Sequence, residues 1–176
     1  MHSPQPGCCA TLPPMTPDAP ILYFAYGSNL DPTQRAARCP RSPAVGVARL
    51  DGHRLHFPRF SPIRRCAVAS IEPFDGGGVW GVLHRLDPDD LAALDAREGH
   101  FPDRPHESRY DRRAIDIMMA GEGAVSAMTY IARPSPDPGL PSAEYLAHIL
   151  AGARHHGFPD DYVARLAAIA PGPALR

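Results

Sequence analysis

The chain has 176 residues, a formal net charge of −1 and a sequence pI of about 6.7. Its hydrophobic content of 44% is enough for one buried core, and no run of Lys or Arg forms the basic stripe of a nucleic-acid-binding protein. No apolar run approaches the ~18 residues of a membrane span, and the chain does not open with a secretory signal pattern. These features favour a cytoplasmic protein that neither binds nucleic acid nor enters a membrane.

The first 19 residues differ in composition from the rest of the chain. They contain five prolines and few residues that could pack in a core. We therefore predict a flexible leader over residues 1–19, followed by a single domain over residues 20–176. The four cysteines of the chain form no CxxC pair, so no disulfide framework is expected.

The first predicted strand, Ile21 to Tyr26, ends abruptly in Gly27, Ser28 and Asn29. In one interpretation these three residues only make a turn, in which Gly27 supplies a positive φ angle. In the other, the loop presents unpaired backbone N–H groups to a ligand, because a helix begins just beyond it. The loop alone leaves both interpretations open.

The rest of the chain predicts hairpins and helices. Two β-hairpins are expected to turn at residues 51–52 and 75–78, and a third joins residues 109–119 to residues 124–132. Capping residues and apolar spacing predict four helices, which begin near Pro32, Pro88, Ser142 and Pro159. Asp31 and Asp87 are the expected caps of the first two, and Gln34 completes a capping-box pattern with Asp31. Gly99 is expected to end the second helix. Seven strands and four helices predict an α+β fold whose mostly antiparallel sheet can curl into a β-barrel with helices outside.

Glu98 is the most informative carboxylate of the sequence. It falls at the C-terminal end of the second predicted helix, where the helix dipole disfavours a negative charge. In one interpretation it simply points into water beside Arg97, as most terminal glutamates do. In the other, the helix end and partial burial raise its pKa toward the range needed for proton transfer.

The remaining candidates predict less chemistry. Tyr110 and Tyr130 lie in the two strands of the third hairpin, where packing in the core is the default expectation. The loop 100–107 is rich in His, Asp and Glu, but no helix or strand fixes these side chains, so no metal site is predicted. Cys39 and Cys66 lack the signature of a nucleophile and are expected to be small core residues.

Three blocks of the sequence together resemble the γ-glutamylcyclotransferase family. YGSNL at 26–30 resembles the substrate-binding loop of that family. VWGVL at 79–83, followed by a helix that ends in DAREG at 95–99, resembles its barrel strand and catalytic glutamate. The segment 141–166 is similar to its C-terminal helices, so the resemblance covers about residues 21–170.

The resemblance implies a fold, a reaction and a site. The fold is a small closed barrel flanked by helices, with a cavity beside the 26–30 loop. The reaction is the attack of the α-amine of a γ-glutamyl compound on its own γ-carbonyl, which releases 5-oxoproline and a free amino acid or amine without a cofactor. Glu98 would be the catalytic acid–base group. Binding of the small-molecule substrate would fall to Tyr26, Gly27, Ser28, Asn29, Leu30, Tyr110 and Tyr130.

The leaving group and the biological role stay open at this point. Asn29 distinguishes the loop from the YGSL and YGTL types of the glutathione-specific and γ-glutamylamine branches. The stretch 100–109 is expected to cover the part of the cavity that holds the leaving group. Two alternatives remain: a non-catalytic ligand-binding or interaction protein on the same scaffold, and an enzyme that removes γ-glutamyl groups in a biosynthetic pathway.

Overall fold

The computed structural model describes residues 20–173, and the predicted leader at 1–19 lies outside them. Five strands close into a barrel in the order β1-β3-β2-β4-β5. The strands are β1 (Ile21–Ala25), β2 (Ala44–Ser61), β3 (Cys66–Leu86), β4 (Tyr110–Met119) and β5 (Gly123–Ala132). The helices are α1 (Pro32–Arg38), α2 (Pro88–Glu98), α3 (Ala143–His155) and α4 (Asp160–Ala167).

The barrel closes where β1 runs parallel to β5, with Tyr23 opposite Met128. All other strand pairs are antiparallel. The prediction of a mostly antiparallel closed barrel flanked by helices is therefore confirmed. No helix within residues 20–173 is long and apolar enough to cross a membrane. The domain boundary at residue 20 stays a prediction.

The predicted number of seven strands is wrong, because the first two predicted hairpins are in fact one long hairpin of β2 and β3. Its turn lies at residues 62–65. The two expected turns instead face each other across this hairpin, where Asp51 pairs with Gly78 and the register then shifts. Gly52 and Gly76 adopt φ angles of 68° and 73° there. Their sequences thus indicated irregular backbone correctly, but this backbone is a bulge rather than a chain reversal.

The first two helices begin and end as their capping residues predict, and this places Glu98. The Asp31 carboxylate caps α1 by accepting a hydrogen bond of 2.8 Å from the Thr33 N–H. Asp87 caps α2 in the same way. Gly99 ends α2 in the left-handed conformation, with φ 69°. Glu98 is therefore the last helical residue of α2.

Helix α3 forms the back wall of the loop that follows β1. The Ser142 hydroxyl caps this helix by accepting a hydrogen bond from the Tyr145 N–H at 3.1 Å. Gly152 lies against the loop so closely that a Cβ atom there would be 2.4 Å from the carbonyl carbon of Leu30. The loop can therefore lie this close to α3 only because residue 152 has no side chain.

Candidate active site

A cavity of about 360 Å³ lies at the end of β1, beside the 26–29 loop. Its walls come from this loop, the C-terminal end of α2, the tip of the β2–β3 hairpin and α3. A volume of this size is typical of a site for a small molecule. The cavity thus brings together the loop and the glutamate that the sequence singled out.

Glu98 points into this cavity rather than into open water. Its Oε1 atom accepts a hydrogen bond of 3.2 Å from the Asn29 side-chain amide. The same amide nitrogen donates to the Tyr23 hydroxyl at 3.0 Å, and the amide oxygen accepts from Arg38 at 2.5 Å. Asn29 is therefore fixed on both sides and holds the carboxylate in place.

Burial raises the pKa of the Glu98 carboxyl above its ordinary value of 4.5. The guanidinium of Arg38 and the hydrogen bond from Asn29 oppose this shift without cancelling it. A carboxyl group with a raised pKa can take a proton and return it near neutral pH. The second interpretation of Glu98 is thus the one that its surroundings favour.

The loop has a different backbone from the one that the turn interpretation requires. Gly27 has a φ angle of −106°, so the expectation of a positive φ is wrong. Ser28–Leu30 form a 3₁₀ turn, in which the Leu30 N–H donates to the Gly27 carbonyl at 3.0 Å. Within residues 20–173, no hydrogen-bond acceptor takes the N–H groups of Ser28 and Asn29. These two groups remain available to a ligand.

The N-terminus of α1, by contrast, is already occupied. The Asp31 carboxylate accepts hydrogen bonds from the Thr33 and Gln34 N–H groups. The donors that stay free therefore belong to the loop and not to the first turn of the helix. The expected capping box is also absent from its place, because the Gln34 side chain donates to the Ser28 carbonyl instead. Gln34 thus ties the helix to the loop.

Two of the predicted tyrosines hold the site together. The Tyr26 hydroxyl donates to the Tyr130 carbonyl at 2.5 Å, and the Tyr130 hydroxyl donates to Asp95 at 2.6 Å. Asp95 also pairs with Arg112 at 3.0 Å. Because Asp95 lies one turn before Glu98 on α2, these bonds fix the helix that carries the carboxylate. The Tyr130 hydroxyl proton is therefore engaged by the protein.

Other predicted residues occupy different positions. Tyr110 lines the cavity. Leu30 is 1% exposed and packs behind the loop, outside the cavity lining. Of the stretch 100–109, only Arg109 lines the cavity among the described residues, so the expectation that this stretch covers the site is wrong. The hairpin tip at residues 60–64 covers it instead.

Comparison with known proteins shows which family this chain belongs to. A model of the AIG2-like family matches residues 78–166. A γ-glutamylcyclotransferase of Mus musculus is 30% identical over 155 residues, which are 86% of this chain and 79% of the relative. The chain belongs to the γ-glutamylcyclotransferase family. The human protein of the same name is 29% identical over the same shares of both chains. A solved structure of a γ-glutamyl cyclotransferase superposes with a TM-score of 0.79 at 28% identity, over 89% of this chain and 91% of that one.

Several cavity residues of this γ-glutamylcyclotransferase family member were missed by sequence reasoning. The Tyr145 hydroxyl accepts a hydrogen bond of 3.0 Å from the Ala69 N–H, and burial raises its pKa to about 12. Tyr23 also lines the cavity. Its position three residues before Tyr26, in the strand that leads to the loop, was the one available signal. Five arginines also line the cavity: Arg38 at the end of α1, Arg97 beside Glu98, and Arg59, Arg64 and Arg109 from other segments.

The acidic and histidine-rich loop does not form a cluster. Glu107 pairs with Arg104 at 2.6 Å, and the His100 ring contacts the Tyr110 carbonyl at 3.3 Å. Among the residues that the structure describes, no three His, Cys, Asp or Glu side chains could hold a metal ion together. Cys39 and Cys66 are both buried, as expected of core residues.

Proposed function

We propose that this protein converts γ-glutamyl amino acids or amines to 5-oxoproline and the free amino acid or amine. One observation carries the proposal: the Glu98 carboxylate accepts a hydrogen bond from Asn29 at 3.2 Å inside the cavity, next to the unpartnered N–H groups of the loop. An acid–base group and anion-binding donors thus occur side by side. Intramolecular aminolysis of a γ-glutamyl group needs both.

The loop is suited to bind the negative charges of the reaction. The N–H groups of Ser28 and Asn29 can donate to the glutamyl α-carboxylate or to the oxyanion that develops on the γ-carbonyl. Arg64 lies close by, because its guanidinium donates to the Ser28 hydroxyl at 3.2 Å. A cation beside two backbone donors strengthens the attraction for an anion. Small residues in the loop let the substrate approach the backbone closely.

Glu98 would move the protons. Attack requires a neutral α-amine, whereas an α-ammonium titrates near ~7.7–8.0, so a base must first take a proton. The α-nitrogen then forms a bond to the γ-carbon, and the bond from that carbon to the leaving nitrogen breaks. Two protons leave the α-nitrogen in total, and two arrive at the leaving nitrogen. The Glu98 carboxyl can accept each proton from the first nitrogen and deliver it to the second.

The tyrosines would shape and position rather than transfer protons. Burial raises the pKa of Tyr23 well above that of free tyrosine, so its hydroxyl stays protonated. Its oxygen accepts from Asn29, so its hydrogen can be donated to a ligand in the cavity. We include cofactor independence in the proposal, because no step of this proton transfer requires an electron carrier or a Lewis acid.

The direct test is release of 5-oxoproline by the purified protein. The substrates are γ-glutamyl-alanine, glutathione and γ-glutamyl-ethylamine, and the isomer α-glutamyl-alanine is the matched control that cannot cyclise with loss of alanine. We expect equal amounts of 5-oxoproline and free amine from at least one γ-glutamyl substrate. Binding of these compounds without any 5-oxoproline would favour a non-catalytic ligand-binding protein instead.

A further inference from the structure

The cavity holds far more positive than negative charge. Five arginine side chains line it, and Glu98 is the one carboxylate among its described lining residues. Within residues 20–173, none of these five guanidinium groups forms an ion pair with a carboxylate. Unpaired cations collected around one small space repel each other. A ligand that brings negative charge would relieve this repulsion.

A γ-glutamyl group alone does not bring that charge. Its α-ammonium and α-carboxylate cancel, so a γ-glutamyl amine enters the cavity with no net charge. The negative charge that balances the excess of arginines must therefore come from the leaving group of the substrate. If the leaving amine is an amino acid it adds one carboxylate, and if it is an acidic amino acid it adds two.

Two of the arginines are placed to bind that leaving part. Arg59 on β2 donates to the Arg133 carbonyl at 2.9 Å, and the N–H of the same Arg133 donates to the Arg109 carbonyl at 2.9 Å. Both arginines thus contact the main chain of one residue, Arg59 through its guanidinium and Arg109 through its carbonyl, which brings them close together. The Arg133 side chain itself is neutralised by Asp111 at 2.7 Å, so it does not compete for a ligand.

Arg109 also lies next to the catalytic end of α2. A Cβ atom at Gly99 would be 2.3 Å from its Nε atom, so the guanidinium covers the residue that follows Glu98. Its one hydrogen bond is a long one, 3.4 Å, to the Arg97 carbonyl. A cation at a helix C-terminus stabilises that helix, which accounts for part of its role. Arg109 also lines the cavity.

We propose that Arg59 and Arg109 form an anion subsite for the leaving group, and that the preferred substrates are γ-glutamyl dipeptides whose leaving residue is acidic. This inference rests on the proposed cyclotransferase function. Arg59 and Arg109 act here as specificity-determining residues, and the chemistry stays with Glu98. Arg38 and Arg64 already donate hydrogen bonds to Asn29, Ser28 and Gln34, so they serve the loop.

The test compares three substrates that differ in leaving-group charge: γ-glutamyl-glutamate, γ-glutamyl-alanine and γ-glutamyl-ethylamine. For the wild-type protein we expect kcat/KM for 5-oxoproline release to fall in that order. Arg109→Gln and Arg59→Gln should each lower kcat/KM for γ-glutamyl-glutamate by about 10- to 100-fold, the range for a charge-assisted hydrogen bond, mainly through KM. The loss with γ-glutamyl-ethylamine, whose leaving group carries no charge, should be clearly smaller, so that the preference for the acidic substrate falls in both variants.

Arg85→Gln is the matched control, because Arg85 is an exposed arginine of β3 outside the cavity lining. It should leave all three rates unchanged, and added salt should reduce the preference for the acidic substrate. Equal wild-type rates with all three substrates, or equal losses with all three in the arginine variants, would overturn the subsite while the cyclotransferase function stands. No 5-oxoproline from any substrate would overturn both.

Discussion

The cavity and the middle of the long β2–β3 hairpin use charged residues in opposite ways. On the hairpin, Arg54 pairs with Glu72 at 2.7 Å and Arg49 pairs with Asp51 at 3.0 Å. In the cavity, the guanidinium groups contact amides, hydroxyls and carbonyls but no carboxylate of the described residues. The exposed pairs contribute little to stability, whereas the unpaired cavity charges oppose it. The hairpin arginines are thus neutralised by carboxylates of the protein, whereas the cavity arginines are free to bind an anionic ligand.

Glu72 on the hairpin and Glu98 in the cavity differ in the same way. Arg54 holds the pKa of Glu72 below its ordinary value through a hydrogen bond, so this carboxylate is ionised and satisfied. Burial raises the pKa of Glu98, so its charged form is disfavoured in the folded protein. A group that the fold holds in a less favourable state is a candidate for function rather than for stability.

The largest expected effect comes from Glu98→Gln. The variant keeps the size of the side chain but cannot accept a proton, so turnover should fall by about 10²- to 10⁴-fold or more. Glu72→Gln is the matched control and should leave turnover unchanged. Steady-state release of 5-oxoproline measures both. If the Glu98 variant kept a rate near that of the wild type, the carboxylate would have no part in proton transfer.

Gly27→Val should reduce activity by about 100-fold, the loss that a misplacement of ~1 Å can cause. A Cβ atom at Gly27 would meet the Ala69 Cβ at 3.4 Å and the Tyr145 hydroxyl at 3.6 Å, which are ordinary contacts. Gly27→Ala therefore fits and is the control, whereas the two methyl groups of valine crowd the wall of the cavity. Ser28→Ala should have a milder effect. Parent activity in folded Gly27→Val protein would exclude the loop as the binding site.

The pH dependence of both stability and rate should follow the raised pKa of Glu98. Between 4.5 and that raised pKa the folded protein binds more protons than the unfolded chain, so this group lowers the free energy of unfolding as pH rises through the window. The melting temperature of Glu98→Gln should therefore equal or exceed that of the wild type at neutral pH. The two melting curves should converge below pH 4.5. A variant that melts lower at neutral pH would mean that the carboxylate stabilises the fold.

In the wild-type protein, turnover should fall on the acid side with an apparent pKa above the ordinary 4.5 of this carboxyl, because protonation removes the base. A profile of 5-oxoproline release from about pH 4 to pH 9 measures this limb. An acid limb at or below pH 4.5 would contradict the burial of the group.

The smallest expected effect is that of chelation. Prolonged treatment with EDTA should leave the rate of 5-oxoproline release unchanged, because the proposed proton transfer uses no ion. A loss of activity that one divalent cation restores would require a metal in the mechanism.

Sequence reasoning predicted the parts of this fold that depend on neighbouring residues. The caps Asp31, Asp87 and Ser142 and the terminator Gly99 set helix ends through local hydrogen bonds and φ preferences, and all are found where they were expected. The β2–β3 pairing was missed, because glycine-rich bulges and hairpin turns use the same residue types. Which strand pairs with which is decided by long-range packing.

The candidate site shows the same division. The loop 26–29 and Glu98 were predicted from a motif and from an unfavourable position on a helix. The arginines near the loop were not predicted, because Arg59 and Arg64 lie at the tip of the long β2–β3 hairpin, whose pairing was missed. Likewise, Tyr130 was expected to orient the substrate, but no local pattern could indicate that its hydroxyl would donate to Asp95 on α2.

The close contact between Gly152 and Leu30 lets the C-terminal part of the chain determine the position of the 26–29 loop. A Cβ atom at Gly152 would be 2.4 Å from the Leu30 carbonyl carbon, so α3 limits where the segment that carries Ser28 and Asn29 can lie. The His156 ring strengthens this link through its contact with the Leu30 carbonyl at 3.2 Å. Residues outside the cavity lining therefore help to fix the loop that is proposed to bind the substrate.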